Sequence, residues 1–202
     1  MPYNSSFLIN NLQSCSNPSI GLSYLYCNYN EAGTQSATNL MRCILRQLAA
    51  RTDVLNNDLE RFYKKNLSPS FAECCQLLHT AADHMSNIHV VIDALDECTE
   101  ATRGILLTEL EKLRPKVCLI ITSRHTFGCR YDPESAICLK IQAQEEDIKR
   151  YLSERVGNSR MLRDHIKTRP ELRGQVLDGI IAKAKGMFVT SSHHVVVRVW
   201  IN

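Results

Sequence analysis

The stretch Val90-Val91-Ile92-Asp93-Ala94-Leu95-Asp96-Glu97-Cys98 decides how the chain is read. An apolar run from Ile88 ends in a carboxylate, the pattern of a short strand buried on both faces. Such a strand delivers Asp93 to the carboxyl edge of a sheet, where open α/β sheets place their ligands. Three residues on, Asp96 and Glu97 put further negative charge into the same loop. Crowded carboxylates favour a cation, and a hard Mg²⁺ holding phosphate oxygens is the natural one. A first acid would hold the metal, and a later one would orient or deprotonate an attacking water. The same residues also suit an acidic helix N-terminus, at the positive end of the helix dipole. Spacing alone leaves both readings open.

A second stretch, Leu119-Ile120-Ile121-Thr122-Ser123-Arg124, is an apolar strand ending in two hydroxyls and an arginine. If it neighbours the first strand, Arg124 emerges beside Asp93 at the same edge. A guanidinium there senses or stabilises a terminal phosphate, or else forms a simple ion pair with the Asp96/Glu97 loop.

Working outward, Gly21–Tyr29 reads as a strand from its aromatic residues Tyr24, Tyr26 and Tyr29. Leu40, Met41, Ile44, Leu45 and Leu48 recur at helical spacing. Shorter helices are expected over Val54–Lys64 and Phe71–Met85, with Ser68-Pro69-Ser70 as break and cap. Ile105–Leu113 gives a helix closed by Pro115, and Ala136–Ile141 a third buried strand. Glu145–Val156 and Leu172–Ala184 are helical, the second ended by Gly186. Strands alternating with helices imply an α/β domain with a largely parallel sheet, followed by a helical extension. Residues 1–20, rich in Asn and Ser, are expected to be a loose segment.

Composition narrows the classes. In 202 residues, 44% are hydrophobic and 22% charged, enough to bury a core and unlike a disordered chain. The net charge of +3 is too small to argue for nucleic acid, although eleven basic and four acidic residues fall in 149–202. No Lys or Arg precedes Arg42, so the start lacks the basic region of a signal peptide. The longest apolar stretches are far too short for a membrane span. Nine cysteines without a C-x-x-C pair read as reduced, mostly buried thiols of a soluble cytoplasmic protein. Cys118, Cys129 and Cys138 with His125 are spaced too widely for a zinc knuckle, and His193-His194 reads as an exposed pair in a tail.

Several blocks together resemble a known family. Val90–Cys98 looks like the Walker B segment of NACHT NTPases (the STAND class). The form is that of fungal NOD-like receptor proteins with nephrocystin-like N-terminal domains. Leu119–Arg124 is similar to their sensor strand. Gly21–Ala49 resembles their second strand and following helix, Ile141–Val156 the piece after the nucleotide core, and Ile180–Phe188 the motif ending the helical extension. The resemblance implies a P-loop NTPase-like parallel sheet and a signal-transduction ATPase module that oligomerises when loaded with ATP. It implies Asp93 as Mg²⁺ ligand, Glu97 or Asp96 as catalytic carboxylate, and Arg124 with Ser123 as γ-phosphate sensor.

The sequence also departs from that family. None of the eight glycines is followed by Lys, so no G-x-x-x-x-G-K-[ST] phosphate loop is present. The expectation is therefore an incomplete fold lacking the central Walker A strand. Its organisation would be a partial NACHT core over 21–142, a helical extension over 143–188 and a divergent tail over 189–202. Phe7–Ile9 or Val195–Ile201 could fill the gap by strand addition. The functional expectation is a regulatory or oligomerisation module unable to hydrolyse ATP alone, with Mg²⁺ and ATP not tightly held. Its partners would be proteins or further copies of itself, and neither a membrane nor a specific nucleic acid. The alternative is a non-catalytic interaction domain on an NTPase fold.

Overall fold

The computed structural model describes residues 3–14, 17, 19–31, 33–113, 115–123, 137–141, 145–188 and 193–197. In chain order the regular elements are α1 (Tyr3–Ser14), β1 (Ile20–Tyr26), α2 (Ala37–Ala49), α3 (Asn56–Lys64), α4 (Phe71–His84), β2 (Asn87–Asp93), α5 (Glu100–Glu111), β3 (Val117–Ser123), β4 (Ile137–Ile141), α6 (Glu145–Asn158), α7 (Arg160–Thr168), α8 (Glu171–Phe188) and β5 (His193–Val197). Short 3-10 turns lie at Tyr29–Glu31, Asp53–Leu55 and Leu95–Glu97. The described residues form two compact units, one reaching Leu139 and resuming at His194, the other running from Lys140 to His193.

The first unit is an α/β fold. Its sheet has the order β1-β2-β3-β5-β4. β1, β2 and β3 are parallel, with Tyr26 opposite Asp93 and Ile92 opposite Ile121. Alternation along the strands sends side chains to two faces. On one face Ile88, Val90, Ile92, Leu119 and Ile121 join Ile44, Leu45 and Leu48 of α2, with Leu78 of α4 and Leu106 of α5. Leu22, Val91 and Ile120 meet Ile9 of α1 on the other face. Full burial of each such side chain contributes roughly 1.5–3 kcal/mol. The expected parallel α/β sheet flanked by helices is therefore the observed one.

Local signals account for the helix starts. Ser36 caps α2 by accepting from Asn39 N–H, and Thr99 caps α5 by accepting from Thr102 N–H. At α4 Ser70 and Glu73 form a reciprocal capping box, and the hydroxyl and amide of Ser70 hold the Glu73 carboxyl below its usual range.

Three expectations need correction, and a fourth, strand addition by the segment from Val195, is met. Residues Tyr3–Ser14 are helical rather than loose, because Ile9 is buried and Leu8 and Leu12 pack beside it at helical spacing. The first strand ends at Tyr26 instead of Tyr29, since Asn28 and Gln35 close a loop there by reciprocal amide bonds of 3.2 Å. α8 continues through Gly186 to Phe188, as a single glycine weakens a helix without ending it. Finally, β5 pairs antiparallel with β3, Ile121 lying opposite Val196, and stands between β3 and β4. One of the two segments expected to add a strand does so, while the other is part of α1.

In the second unit α6 packs against α7 and α8, and Ser159 caps α7 through Leu162 N–H. Among the described residues no helix is long and apolar enough to cross a membrane.

Candidate functional site around Asp93

β2 ends at Asp93, which pairs with Tyr26 of β1, while β3 ends beside it at Thr122 and Ser123. Both strands run the same way, so their carboxyl ends share one edge, as the two apolar runs required. The Asp93 side chain is engaged from two directions. Thr122 Oγ1 donates to Asp93 Oδ1 at 2.5 Å, and Ser5 Oγ, buried in α1, donates to the same oxygen. Thr122 Oγ1 also accepts the Ala94 N–H at 2.9 Å. Ala94 lies in the left-handed region (φ 54°, ψ 46°), an uncommon state for a residue with a Cβ, so this hydroxyl fixes a strained turn.

After that turn the chain makes one tight 3-10 turn, with Glu97 N–H donating to Ala94 C=O and Cys98 N–H to Leu95 C=O. Leu95 is fully buried and anchors the turn. Arg103 of α5 donates to the carbonyls of Asp96 at 3.3 Å and Cys98 at 2.9 Å. Glu97 Oε2 accepts from Tyr29 N–H at 3.1 Å, tying the loop to the segment after β1. A further bond runs from Cys27 N–H to Asp93 C=O at 3.0 Å.

The acidic side chains thus take separate tasks. Asp93 faces two hydroxyls and Glu97 faces a backbone amide. Among the described residues no group of three or more His, Cys, Asp or Glu side chains gathers to hold a metal ion. Crowding of Asp93, Asp96 and Glu97 around one cation is not what the loop builds. One carboxylate flanked by the Ser5 and Thr122 hydroxyls is nonetheless a set of hard oxygen donors. That set fits Mg²⁺, which commonly takes one or two carboxylates and completes its shell with phosphate oxygens and water.

Ser123 is buried at the end of β3, with His194 of β5 opposite it in register. The expected sensor Arg124 lies outside the described residues, as do His125 and Cys129. His193 and His194 fall within β5 instead of a free tail.

Sequence reasoning missed Ser5, Cys27, Tyr29 and Gln35. Cys27 and Cys98 are buried on the two segments tied together beside Asp93. The neighbouring Cys98 thiol, with burial, pushes the Cys27 thiol up, whereas the Cys27 thiol and the Arg103 charge bring Cys98 down. Cys98 Sγ in turn donates to Gln35 Oε1 at 3.7 Å. A separate cleft of about 410 Å³, lined by Arg61, Phe62, Lys65, Leu67, Leu77 and Thr80, involves α3 and α4 and none of these residues.

No curated protein and no solved structure matches the chain. A family model described as nephrocystin 3, N-terminal, matches residues 3–124, a span that takes in α1, β1, β2, β3 and every side chain just described around Asp93. More than half of the sequence is covered, and the chain belongs to the nephrocystin 3 N-terminal family.

Proposed function

We propose that the chain is a NACHT-type, STAND-class regulatory module derived from a fungal NOD-like receptor, with a Walker B-like half-site that does not hydrolyse ATP by itself. The observation carrying this reading is the placement of Asp93, at the carboxyl end of β2 and beside the end of β3. Residues 21–142 are the partial nucleotide core, 143–188 the helical extension and 189–202 a divergent tail.

In this reading Asp93 holds Mg²⁺, with the Ser5 and Thr122 hydroxyls orienting its carboxylate. The metal would place positive charge between that carboxylate and the phosphates of ATP. Glu97, or Asp96, is the residue poised to orient water, and Arg124 with Ser123 the sensor of the terminal phosphate. No Gly-Lys loop in this sequence cradles the phosphates. Losing such preorganised donors costs phosphoryl transfer on the order of several kcal/mol. Work is therefore done through binding and self-association in the cytoplasm, without turnover.

A second reading, a purely non-catalytic interaction domain, is favoured by one feature. Asp93 Oδ1 already takes two hydroxyls and Glu97 Oε2 a backbone amide, so the loop is satisfied without a ligand. Calorimetry with ATP and Mg²⁺ on the wild type and Asp93→Asn separates the two, beside a steady-state hydrolysis assay. Weak Mg²⁺-dependent binding lost in Asp93→Asn supports the half-site, and no heat in either protein supports the interaction domain. Turnover near one per second would refute both.

A further inference from the structure

Residues 160–173 hold five cations, Arg160, Arg163 and Lys167 in α7 followed by Arg169 and Arg173, against two acids, Asp164 and Glu171. All five cations are exposed. Arg160, Arg163 and Lys167 recur at i, i+3 and i+7, so they form one stripe along α7. Two effects oppose that arrangement. Like charges three or four residues apart destabilise a helix. Arg160 opens the helix and Arg163 closes its first turn, the end where the helix dipole disfavours cations. No carboxylate relieves the repulsion. Among the described residues none of the five forms an ion pair, not even with Asp164 on the same helix. Exposed helix cations of the first unit are treated differently. Arg61 meets Asp58 at 3.6 Å, Lys64 meets Glu60 at 3.0 Å and Lys112 meets Glu109 at 2.6 Å. The apolar side of α7 is already engaged, since the helix packs against α6 and α8 and both Leu162 and Ile166 are half-buried. Met161 alone of its apolar residues stands out, at 75% exposed. Lying in a bilayer surface takes a broad exposed apolar face. What α7 offers is charge.

We propose that the basic stripe of α7, with Arg169 and Arg173, binds the phosphate backbone of a nucleic acid duplex without sequence preference. At 1.5 Å per residue the stripe is about 10 Å long. One strand of a duplex carries a phosphate roughly every 3.4 Å of axis, so the stripe faces about three of them. A regular row of cations matches a regular row of phosphates, whereas the carboxylates of a protein surface keep no such repeat. Four of the five cations are arginines, whose planar fork takes two phosphate oxygens at once. Contacts of this kind fix position and affinity and carry no base information. The net charge of +3 averages over the whole chain, while the field that a polyanion meets is local, because salt screens charges more than about 10 Å away. The surface uses no residue of the Asp93 site, and it stands whether or not that site takes a nucleotide.

The test titrates the full chain into fluorescently labelled duplexes of about 20 base pairs, two DNA duplexes of unrelated sequence and one of RNA. Anisotropy is read between about 50 and 200 mM KCl. The logarithm of the binding constant should fall linearly with the logarithm of salt, with a slope between about −3 and −4.5, and equally for the two DNA sequences. Binding of either DNA or RNA supports the proposal, and the tighter of the two identifies the source. Changing Arg160→Gln, Arg163→Gln and Lys167→Gln together should flatten the slope by about 2.7, and Arg163→Gln alone by about 0.9. The single variant keeps the test decisive if the triple one does not fold. Arg61→Gln with Lys64→Gln, two cations already paired in α3, should leave the slope unchanged. No binding at the lowest salt overturns the proposal, as does a slope that the triple variant retains. So does a tenfold preference for one DNA sequence. Phosphatidylserine vesicles or polyglutamate held as tightly as the duplexes would overturn it in favour of a membrane or an acidic protein.

Discussion

Thr122 Oγ1 donates to Asp93 Oδ1 at 2.5 Å and accepts the Ala94 N–H at 2.9 Å, so one hydroxyl on β3 holds both the carboxylate and the turn that follow β2. Removing it leaves an amide in a left-handed turn and a carboxylate short of a donor. Hydrogen bonds to charged groups are worth about 1.5–3 kcal/mol, and unpaired buried partners carry the larger cost. Thr122→Val should therefore lower stability by about 2 kcal/mol, while Thr122→Ser, which keeps the oxygen, should recover most of it. Urea denaturation midpoints of the three proteins check this. A valine variant as stable as wild type would mean that the turn does not depend on β3.

How far the sequence discloses this site depends on the kind of signal. The apolar runs before Asp93 and Thr122 are unbroken, and a strand buried on both faces leaves few alternatives, so their pairing and shared edge were legible. α1 was hidden for the opposite reason. Its Ser5, Leu8, Ile9 and Leu12 recur at i, i+3, i+4 and i+7, yet the intervening Asn and Ser residues dominate the composition. With α1 unread, Ser5 could not be joined to Asp93, because only the tertiary fold brings two residues so distant in sequence together. α7 was missed although Ser159 is a good N-cap, since Met161, Leu162 and Ile166 make too short an apolar stripe.

His89 gives a pH dependence with a definite sign. It is half-buried in β2 and its Nδ1 has no hydrogen-bond partner. Burial pushes its pKa below the ordinary value of 6.5. The unfolded chain then binds this proton more readily than the folded one, so stability rises with pH across the gap. The contribution is complete above about pH 6.5 and is lost as pH falls toward the depressed folded value. Urea midpoints at pH 7.5 and 5.5 should move further apart for wild type than for His89→Gln. Equal displacement of both proteins would assign the acid sensitivity to other groups.

At Gly21 β1 passes close against Leu48 of α2 and Met85 at the end of α4. A Cβ there would lie 2.7 Å from Met85 Sδ, 2.8 Å from Leu48 Cδ2 and 3.1 Å from Ile88 Cγ1. All three neighbours are buried, so none can swing into solvent. Overpacking of this kind costs about 1–3 kcal/mol. Gly21→Ala should fall in that range and Gly21→Val beyond it. Pairing Gly21→Ala with Leu48→Ala should cost less than the two single changes added together, because the second vacates space for the first. Simple additivity in a double-mutant cycle would show that the contact relaxes elsewhere.

β5 covers an edge that β3 would otherwise present. Parallel β2 satisfies one side of β3, and the antiparallel run from Val195 to Val197 satisfies the other. Because β5 stands between β3 and β4, its backbone amides have a partner strand on either side. Proline removes one such amide and is not tolerated inside a sheet. Val196→Pro, opposite Ile121, should therefore loosen β5 and expose the hydrogen-bonding edge of a strand whose sequence, Val-Cys-Leu-Ile-Ile, is strongly apolar. Exposed edges of that character pair with other chains. The expected result is concentration-dependent light scattering under conditions where wild type stays clear, with the urea midpoint lowered. Val196→Thr, which keeps both the amide and the β-branched shape, should leave scattering at the wild-type level. If Val196→Pro stays as clear as wild type at every concentration, the edge of β3 is protected by something other than β5.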